Sequence, residues 1–285
     1  MITLSSDLHD IVKRALREDQ VRGDITTRML FPKTAKAKAV IQAKQEGIVA
    51  GLPVAKYVFK QVDPKLRFKP IVRDGDRVKP GMIVAYLHGD GRSILRSERV
   101  ALNFIQHLSG IATLTAQFAV TVKGVKVKIL DTRKTTPGLR SLEKYAIRMG
   151  GGQNHRMNLS DGVLIKDNHI ALAGSLSKAV QQAKRKAPLG FKVEVEATSL
   201  KEVEEAVSVG ADIILLDNMA VSQLEEAVTR IGGRAQTEAS GGINLKNVRE
   251  IASTGVDFIS IGALTHSAPA MDFSLEIYRG RRESL

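Results

Sequence analysis

Apolar positions recur along the chain with two different periods, and the switch between them marks its organisation. Residues 6–18 place Leu8, Ile11, Val12 and Leu16 at three- and four-residue spacing, which predicts an amphipathic helix. Glu18-Asp19 and Gly23-Asp24-Ile25-Thr26-Thr27 read as a turn-rich connection. Residues 35–50 alternate as a strand, and 66–87 read strand, turn, strand around Asp74-Gly75-Asp76 and Pro80-Gly81. Residues 98–120 predict a long helix with Leu102, Ile105, Leu108 and Ile111 along one side.

Past Lys126 the rhythm changes. Short apolar runs at 127–130, 163–165, 193–195, 213–216, 235–238 and 258–261 alternate with helical patterns. An internal repeat supports this reading. SLKEVEEAVSVGADIILLDN at 199–218 aligns with NLKNVREIASTGVDFISIGA at 244–263, an offset of 45. Each copy is a capped helix, a glycine turn and a strand, with Ser199 and Glu202 spaced as a capping box and Asn244 as the second cap. Recurrence of one helix–turn–strand unit predicts a parallel β/α barrel, and six strand candidates imply an incomplete or irregular one. Residues 272–285 read as a basic helical tail. In the first part, DGDRVKPGMIVAYLHG has the rhythm of a biotinyl- or lipoyl-carrier fold. It lacks a clear counterpart of the lysine such domains display, so the likeness is structural.

The stretch from Lys128 to His169 organises the rest. The run Ile129-Leu130 stops at Asp131-Thr132-Arg133-Lys134. A helical pattern follows, with Leu139, Leu142, Tyr145, Ala146 and Met149, and ends at Gly150-Gly151-Gly152. After His155-Arg156, the run from Gly162 to Ile165 stops at Lys166-Asp167-Asn168-His169. Two strands joined by a helix thus each end in a polar cluster, where parallel sheets place their active sites. Residues 121–157 hold nine Lys and Arg against Asp131 and Glu143, a net +7 of the chain's +13. One reading is a solvated basic face. The other is a pocket for a polyanion, because the cations stand at strand ends and in a glycine-rich loop.

Length and composition narrow the classes. The 285 residues suggest about two domains. There is no cysteine, which excludes disulfides, thiolate zinc sites and cysteine nucleophiles. No apolar run approaches the roughly 18 residues of a membrane span, and the charged N-terminal helix is unlike a signal peptide, so the expected location is the cytosol. A pI near 9.9 invites a nucleic-acid partner. Aromatic residues are only 4%, too few for stacking platforms, and no nucleic-acid motif is present.

The strand ends carry the candidate chemistry: Asp131, Arg133 and Lys134; Lys166, Asp167 and His169; Glu194 and Glu196; Asp217; Ser240-Gly241-Gly242; and Gly262. Glycine loops after the last two strands suit a phosphate held by backbone N–H groups. Glu196 and Asp217 end neighbouring strands. They could hold Mg²⁺ through waters and substrate phosphates, stabilise a cationic ribosyl centre, or pair structurally with Lys134 and Lys166. His9 and His88 read as surface residues and His107 as packed in its helix. His155, His169 and His266 read as hydrogen-bonding groups, since none has metal-ligand spacing to another histidine.

SERVALNFIQHLSGIAT (97–113), DTRKTTPGLRSLEKYAIRMGGGQNHR (131–156), LIKDNH (164–169), EVEA (194–197), ILLDN (214–218), EASGGI (238–243) and GALTHS (262–267) together resemble quinolinate phosphoribosyltransferase. That enzyme is the decarboxylating transferase that makes nicotinate mononucleotide on the way to NAD, and the likeness covers nearly the whole chain. The resemblance implies an N-terminal α/β sandwich domain over 1–112, joined by the tail 268–285, and an irregular, seven-stranded β/α barrel over 113–267. It implies quinolinate contacts at Thr132, Arg133, His155, Arg156 and Lys166, with Arg99 reaching in from a neighbouring subunit. Phosphoribosyl pyrophosphate contacts fall on Lys134, Lys166, Glu196, Asp217, Ser240, Gly241, Gly242, Gly262, Ala263 and His266. Catalytic weight falls on Lys134, Lys166, Glu196 and Asp217, and Mg²⁺ is expected at Glu196 and Asp217. The resemblance further implies a cytoplasmic homodimer with shared sites, whose dimers can assemble into a hexamer.

The residue chemistry agrees. Two adjacent carboxylates on quinolinate call for several cations, and arginine's planar fork gives bidentate contacts that lysine cannot. A nicotinate-type monoacid transferase competes with this reading, but one carboxylate does not need Arg99, Arg133, Arg156 and Lys166 together. A Schiff-base aldolase using Lys166 and a basic nucleic-acid-binding protein also compete.

Overall fold

The computed structural model describes residues 6–20, 23–32 and 35–278. Two compact units emerge: Met1–Ala116 with Thr136–Gly151 and Ala268–Leu285, and Gln117–Thr135 with Gly152–Ser267.

In chain order the first unit begins with α1 (Ser6–Asp19), α2 (Ile25–Leu30), β1 (Lys36–Ala43), β2 (Gly47–Ile48) and α3 (Leu52–Val62). It continues with β3 (Arg67–Pro70), β4 (Arg77–Val78), β5 (Ile83–Asp90) and most of α4 (Gly91–Thr121), whose residues from Gln117 on belong to the second unit. Leu8, Ile11 and Val12 bury the predicted face of α1, which packs on α3. Three starts depart from the expectation. The stretch read as a turn at 25–27 opens α2, because the Asp24 carboxylate accepts the Thr27 N–H at 2.9 Å. The long helix α4 starts at Gly91 rather than Glu98, with Asp90 accepting from the Ser93 N–H (2.9 Å) and hydroxyl (2.8 Å). Helix α3 is absent from the periodicity reading altogether. Its cap is not local: Asp74 accepts from Gly51 N–H at 2.8 Å and Leu52 N–H at 3.1 Å.

The second unit contributes β6 (Lys128–Leu130), then, after α5 (Arg140–Met149) of the first unit, β7 (Val163–Ile165), α6 (Asp167–Ala173), α7 (Leu176–Lys186) and β8 (Val193–Ala197). There follow α8 (Leu200–Ser208), β9 (Ile213–Asp217), α9 (Val221–Ile231), β10 (Gln236–Ser240), α10 (Val248–Ser253), β11 (Phe258–Ser260) and α11 (Ala263–His266). All six strands are parallel, in the order β6-β11-β10-β9-β8-β7. A seventh position is a single parallel bridge between Leu130 and Gln153, with Gln153 N–H on Ile129 O at 2.9 Å. This is the irregular barrel, its seventh strand reduced to one residue pair. Ile214 and Leu216 are fully buried in β9, and each such side chain is worth about 1.5–3 kcal/mol.

The described residues end with β12 (Phe273–Tyr278), not with the helix expected over 272–285; 279–285 lie outside the described residues. Phe273, Leu275 and Ile277 alternate with Ser274, Glu276 and Tyr278, a period of two rather than 3.6. The strand pairs antiparallel with β1, giving the first unit's sheet the order β12-β1-β5-β3, while β2 and β4 form a separate pair.

Of the two predicted caps, Ser199 is the N-cap of α8, while its reciprocal capping box and the Asn244 cap are corrected. Ser199 Oγ accepts the Glu202 N–H at 3.3 Å, but the Glu202 carboxylate takes Thr198 N–H instead of closing a capping box. Asn244 does not cap α10. It organises the preceding turn by accepting Lys246 N–H at 2.9 Å, and Asn247 is the helix's N-cap.

Candidate active site

At the C-terminal strand ends lies a cavity of about 640 Å³, lined by the second unit alone. Thr132, Arg133, Lys134, His155, Arg156, Lys166, Glu196, Asp217, Ser240, Gly241, Gly242, Gly262, Ala263 and His266 all line it. Arg99 stands exposed on α4 in the first unit, outside that lining.

The loop after β6 is fixed from both sides. Thr132 Oγ1 accepts the Lys134 N–H at 3.0 Å, and the Thr265 hydroxyl donates to Lys134 O at 2.8 Å. Gly262 leaves room for the lysine stem: a Cβ there would lie 2.9 Å from Lys134 Cδ. Asp131, expected among the active groups, is fully buried and does not line the cavity. Its carboxylate accepts His155 N–H at 2.9 Å and the Asn154 amide at 2.5 Å, so it fastens the loop that presents His155 and Arg156.

That loop and β7 supply the cations. Arg156 Nη1 donates to Gly162 O at 3.0 Å, while its buried Nε has no hydrogen-bond partner among the described residues. Burial, and then the Arg133 charge, lower the Arg156 pKa, against the opposing pull of Glu194. The Lys166 ammonium donates to Glu196 at 2.7 Å and is 47% exposed. His155 Nδ1 accepts the Arg156 N–H at 2.8 Å, so the ring proton sits on Nε2. That nitrogen faces two buried carboxylates, at 3.2 Å from Glu194 and 3.6 Å from Glu238. His169 does not reach the cavity; its Nδ1 accepts the Lys166 N–H at 2.9 Å.

The opposite side carries Glu196 and Asp217 at the ends of β8 and β9, with the glycine loops beyond. Asn218, the described non-glycine residue with positive φ (55°), donates its N–H to Ser240 O (2.8 Å) and its amide to Asp217 (2.7 Å). Gly241 sits against that amide with φ 94°, and any Cβ would collide with Asn218. Asn218, Glu238 and Ser260 line the cavity but escaped the residue reading. An asparagine after a strand-end aspartate was a legible signal for Asn218. An acidic residue in the middle of a buried strand was one for Glu238.

The basic stretch divides between the two readings. Of its nine cations, Arg133, Lys134 and Arg156 line the cavity, whereas Lys123, Lys126 and Lys128 are solvent-exposed. Arg140, Lys144 and Arg148 belong to α5 in the first unit.

A β/α barrel whose strand ends set arginines and a lysine opposite paired carboxylates and glycine loops is an enzyme built for anionic, phosphorylated substrates. Residues 24–109 match the N-terminal domain, and residues 111–276 the C-terminal domain, of quinolinate phosphoribosyl transferase. The chain belongs to the quinolinate phosphoribosyltransferase family. It is 44% identical over 268 residues to a probable nicotinate-nucleotide pyrophosphorylase (carboxylating) of Synechocystis, covering 93% of this chain and 90% of that one. It is 44% identical over 290 residues to quinolinate phosphoribosyltransferase (decarboxylating) 1b of Nicotiana tabacum, covering 95% and 82%. The crystal structure of NadC from Streptococcus pyogenes superposes with a TM-score of 0.92 at 45% identity, over 98% of this chain and all of the other.

Proposed function

We infer that the chain is a decarboxylating quinolinate phosphoribosyltransferase. It moves the phosphoribosyl group from phosphoribosyl pyrophosphate to quinolinate, giving nicotinate mononucleotide, CO₂ and pyrophosphate in NAD biosynthesis. The observation that carries this reading is one cavity with two chemically distinct sides. Arg133, Arg156 and Lys166 suit a dicarboxylate, with the orphaned Arg156 Nε a ready donor. Ser240, Gly241, Gly242, Gly262 and Ala263 suit the 5′-phosphate, and Lys134 and His266 the pyrophosphate.

The residues then divide the work. As the ribose C1–oxygen bond breaks, C1 becomes cationic, and Glu196 and Asp217 stabilise that charge. The pyridine nitrogen attacks C1 while the arginines hold the ring. The resulting pyridinium makes the C2 carboxylate a good leaving group, since CO₂ departs from a carbon beside N⁺. Glu196 and Asp217 are hard oxygen donors on neighbouring strands and fit Mg²⁺ held largely through waters and substrate oxygens. When bound, the ion would neutralise charge on the departing pyrophosphate.

The two competing enzyme readings have less support. The three cations beside the orphaned donor exceed what a monoacid needs. Lys166 is ion-paired to Glu196 and half exposed, unlike the dry setting of a Schiff-base lysine. We place the enzyme in the cytosol, and as a homodimer in which Arg99 completes the partner's cavity. No helix among the described residues is long and apolar enough to cross a membrane. The test is CO₂ release from quinolinate in the presence of phosphoribosyl pyrophosphate, with nicotinate as the comparison; turnover of nicotinate alone overturns the assignment.

A further inference from the structure

We propose that Glu238 works as a neutral carboxylic acid in the floor of the acceptor pocket, so that the buried pair Glu194 and Glu238 carries one negative charge and leaves the pocket fit for a dianion. This rests on assigning Arg133, Arg156 and Lys166 to quinolinate.

Glu238 sits mid-strand in β10 at 2% exposure and lines two cavities. One is the 640 Å³ mouth; the other, about 420 Å³, opens toward the strand starts past Phe191, Lys192 and Phe258. Glu194, from β8, is 5% exposed, and oxygens of both carboxylates lie within 4.8 Å of a His155 ring nitrogen. Such a trio has the donor types of a metal site, but His155 argues against one. With Nδ1 accepting the Arg156 N–H, the proton sits on Nε2, and no lone pair there is left for an ion. The Nε2–H instead points at Glu194 at 3.2 Å, so that carboxylate has a donor facing it.

Glu238 has the opposite surroundings. Its Oε1 is buried with no hydrogen-bond partner among the described residues. Facing it are Glu194 from β8, His155 from the loop, the Ser260 hydroxyl from β11 and, farther off, Lys166 beyond β7. On the β9 side its register partner is apolar Leu215. Burial, and then the Glu194 charge, push its carboxyl up to about 7, against the pull of His155, Ser260 and Lys166.

Arg133, Arg156 and Lys166 offer three positive charges, Glu196 already offsets that of Lys166, and one floor charge leaves a net positive charge to meet the substrate carboxylates. A second ionised floor group would repel the acceptor. Raising pH should therefore weaken quinolinate binding selectively.

The experiment compares quinolinate KM for the wild type and Glu238→Gln at about pH 6.5 and about pH 8.5, on either side of the titration. Wild-type KM should rise roughly tenfold from one uncompensated charge at short range. The Gln variant, which cannot ionise, should stay within about twofold of its low-pH value, and its KM ratio to wild type for phosphoribosyl pyrophosphate should not move. A variant profile parallel to wild type, or a flat wild-type profile, overturns the proposal. Should the variant not fold, ¹³C NMR of wild-type protein labelled at glutamate carboxyls decides. One carboxyl should titrate near 7, and none titrating above about 6 refutes the idea. Arg156→Lys at the lower pH serves as the control: unchanged quinolinate KM there would fault the pocket assignment rather than the proton.

Discussion

Asp74 in the first unit and Glu238 in the second are both carboxyl groups held largely away from water, with pKa values raised by that burial. Their surroundings differ in donors. Asp74 accepts three hydrogen bonds: Gly51 N–H at 2.8 Å, Leu52 N–H at 3.1 Å and the Tyr145 hydroxyl at 2.7 Å. It thereby caps α3 and ties that helix to α5. Glu238 keeps one oxygen beside a cavity with no donor among the described residues. A buried acid surrounded by donors is part of the scaffold. One left short of donors is retained at a cost of about 1–3 kcal/mol, and such costs collect where chemistry is done.

The sharpest way to break this division concerns Arg99, a first-unit residue assigned to a second-unit site. Arg99→Ala and Lys134→Ala should each be nearly inactive. Refolded together in equal amounts, they should recover roughly a quarter of wild-type activity: half the dimers are hybrids, and each hybrid has one intact site. A dead mixture with proven hybrid formation removes the shared-site model.

Next in size are Glu196→Gln and Asp217→Asn. Each should lower kcat by roughly a hundredfold with little change in KM, because the charge is needed mainly when C1 turns cationic. If only thermal stability falls, these acids belong with Asp74. Arg133→Lys and Arg156→Lys keep the charge but lose the fork. Each should cost about 1.5–3 kcal/mol in quinolinate binding and far less for the other substrate, as read from the two KM values. The smallest effect is on the scaffold side. Asp74→Asn sets an amide N–H₂ against one of three donors and should destabilise by about 2 kcal/mol, seen in denaturant melts, with kcat per folded molecule unchanged.

Periodicity made much of the barrel legible because each parallel strand is a short apolar run and each strand end a polar cluster. Placing Lys166, Glu196 and Asp217 in one cavity followed from that topology and needed no contact information. What stayed hidden depended on partners distant in sequence. Helix α3 starts at a glycine and takes its cap from Asp74, more than twenty residues on. Asp131 resembles a catalytic acid in sequence, and only its bonds to Asn154 and His155 reveal a fastener. Glu238 opens EASGGI, yet its significance lies in which donors do not reach it. The tail misled because basic residues follow 273–278, although the alternation itself was strand-like.

The barrel's weak seventh position has a consequence for how such an enzyme can change. Strands β6 and β7 are the edges of the parallel sheet, and among the described residues the Leu130–Gln153 bridge alone extends past β6. The segment that follows, from Asn154 to Gly162, therefore carries His155 and Arg156 without being locked into a ladder on both sides. The groups assigned to the sugar phosphate hang instead on strands paired along both edges, β8 to β11. Of the groups assigned to the acceptor, His155 and Arg156 thus stand apart from the phosphate loops, whereas Arg133 shares its loop after β6 with Lys134. A different insert between Gln153 and Val163 could retarget the ring that is ribosylated while the phosphate-handling frame stays as it is, which makes this gap the natural point of divergence for new specificities.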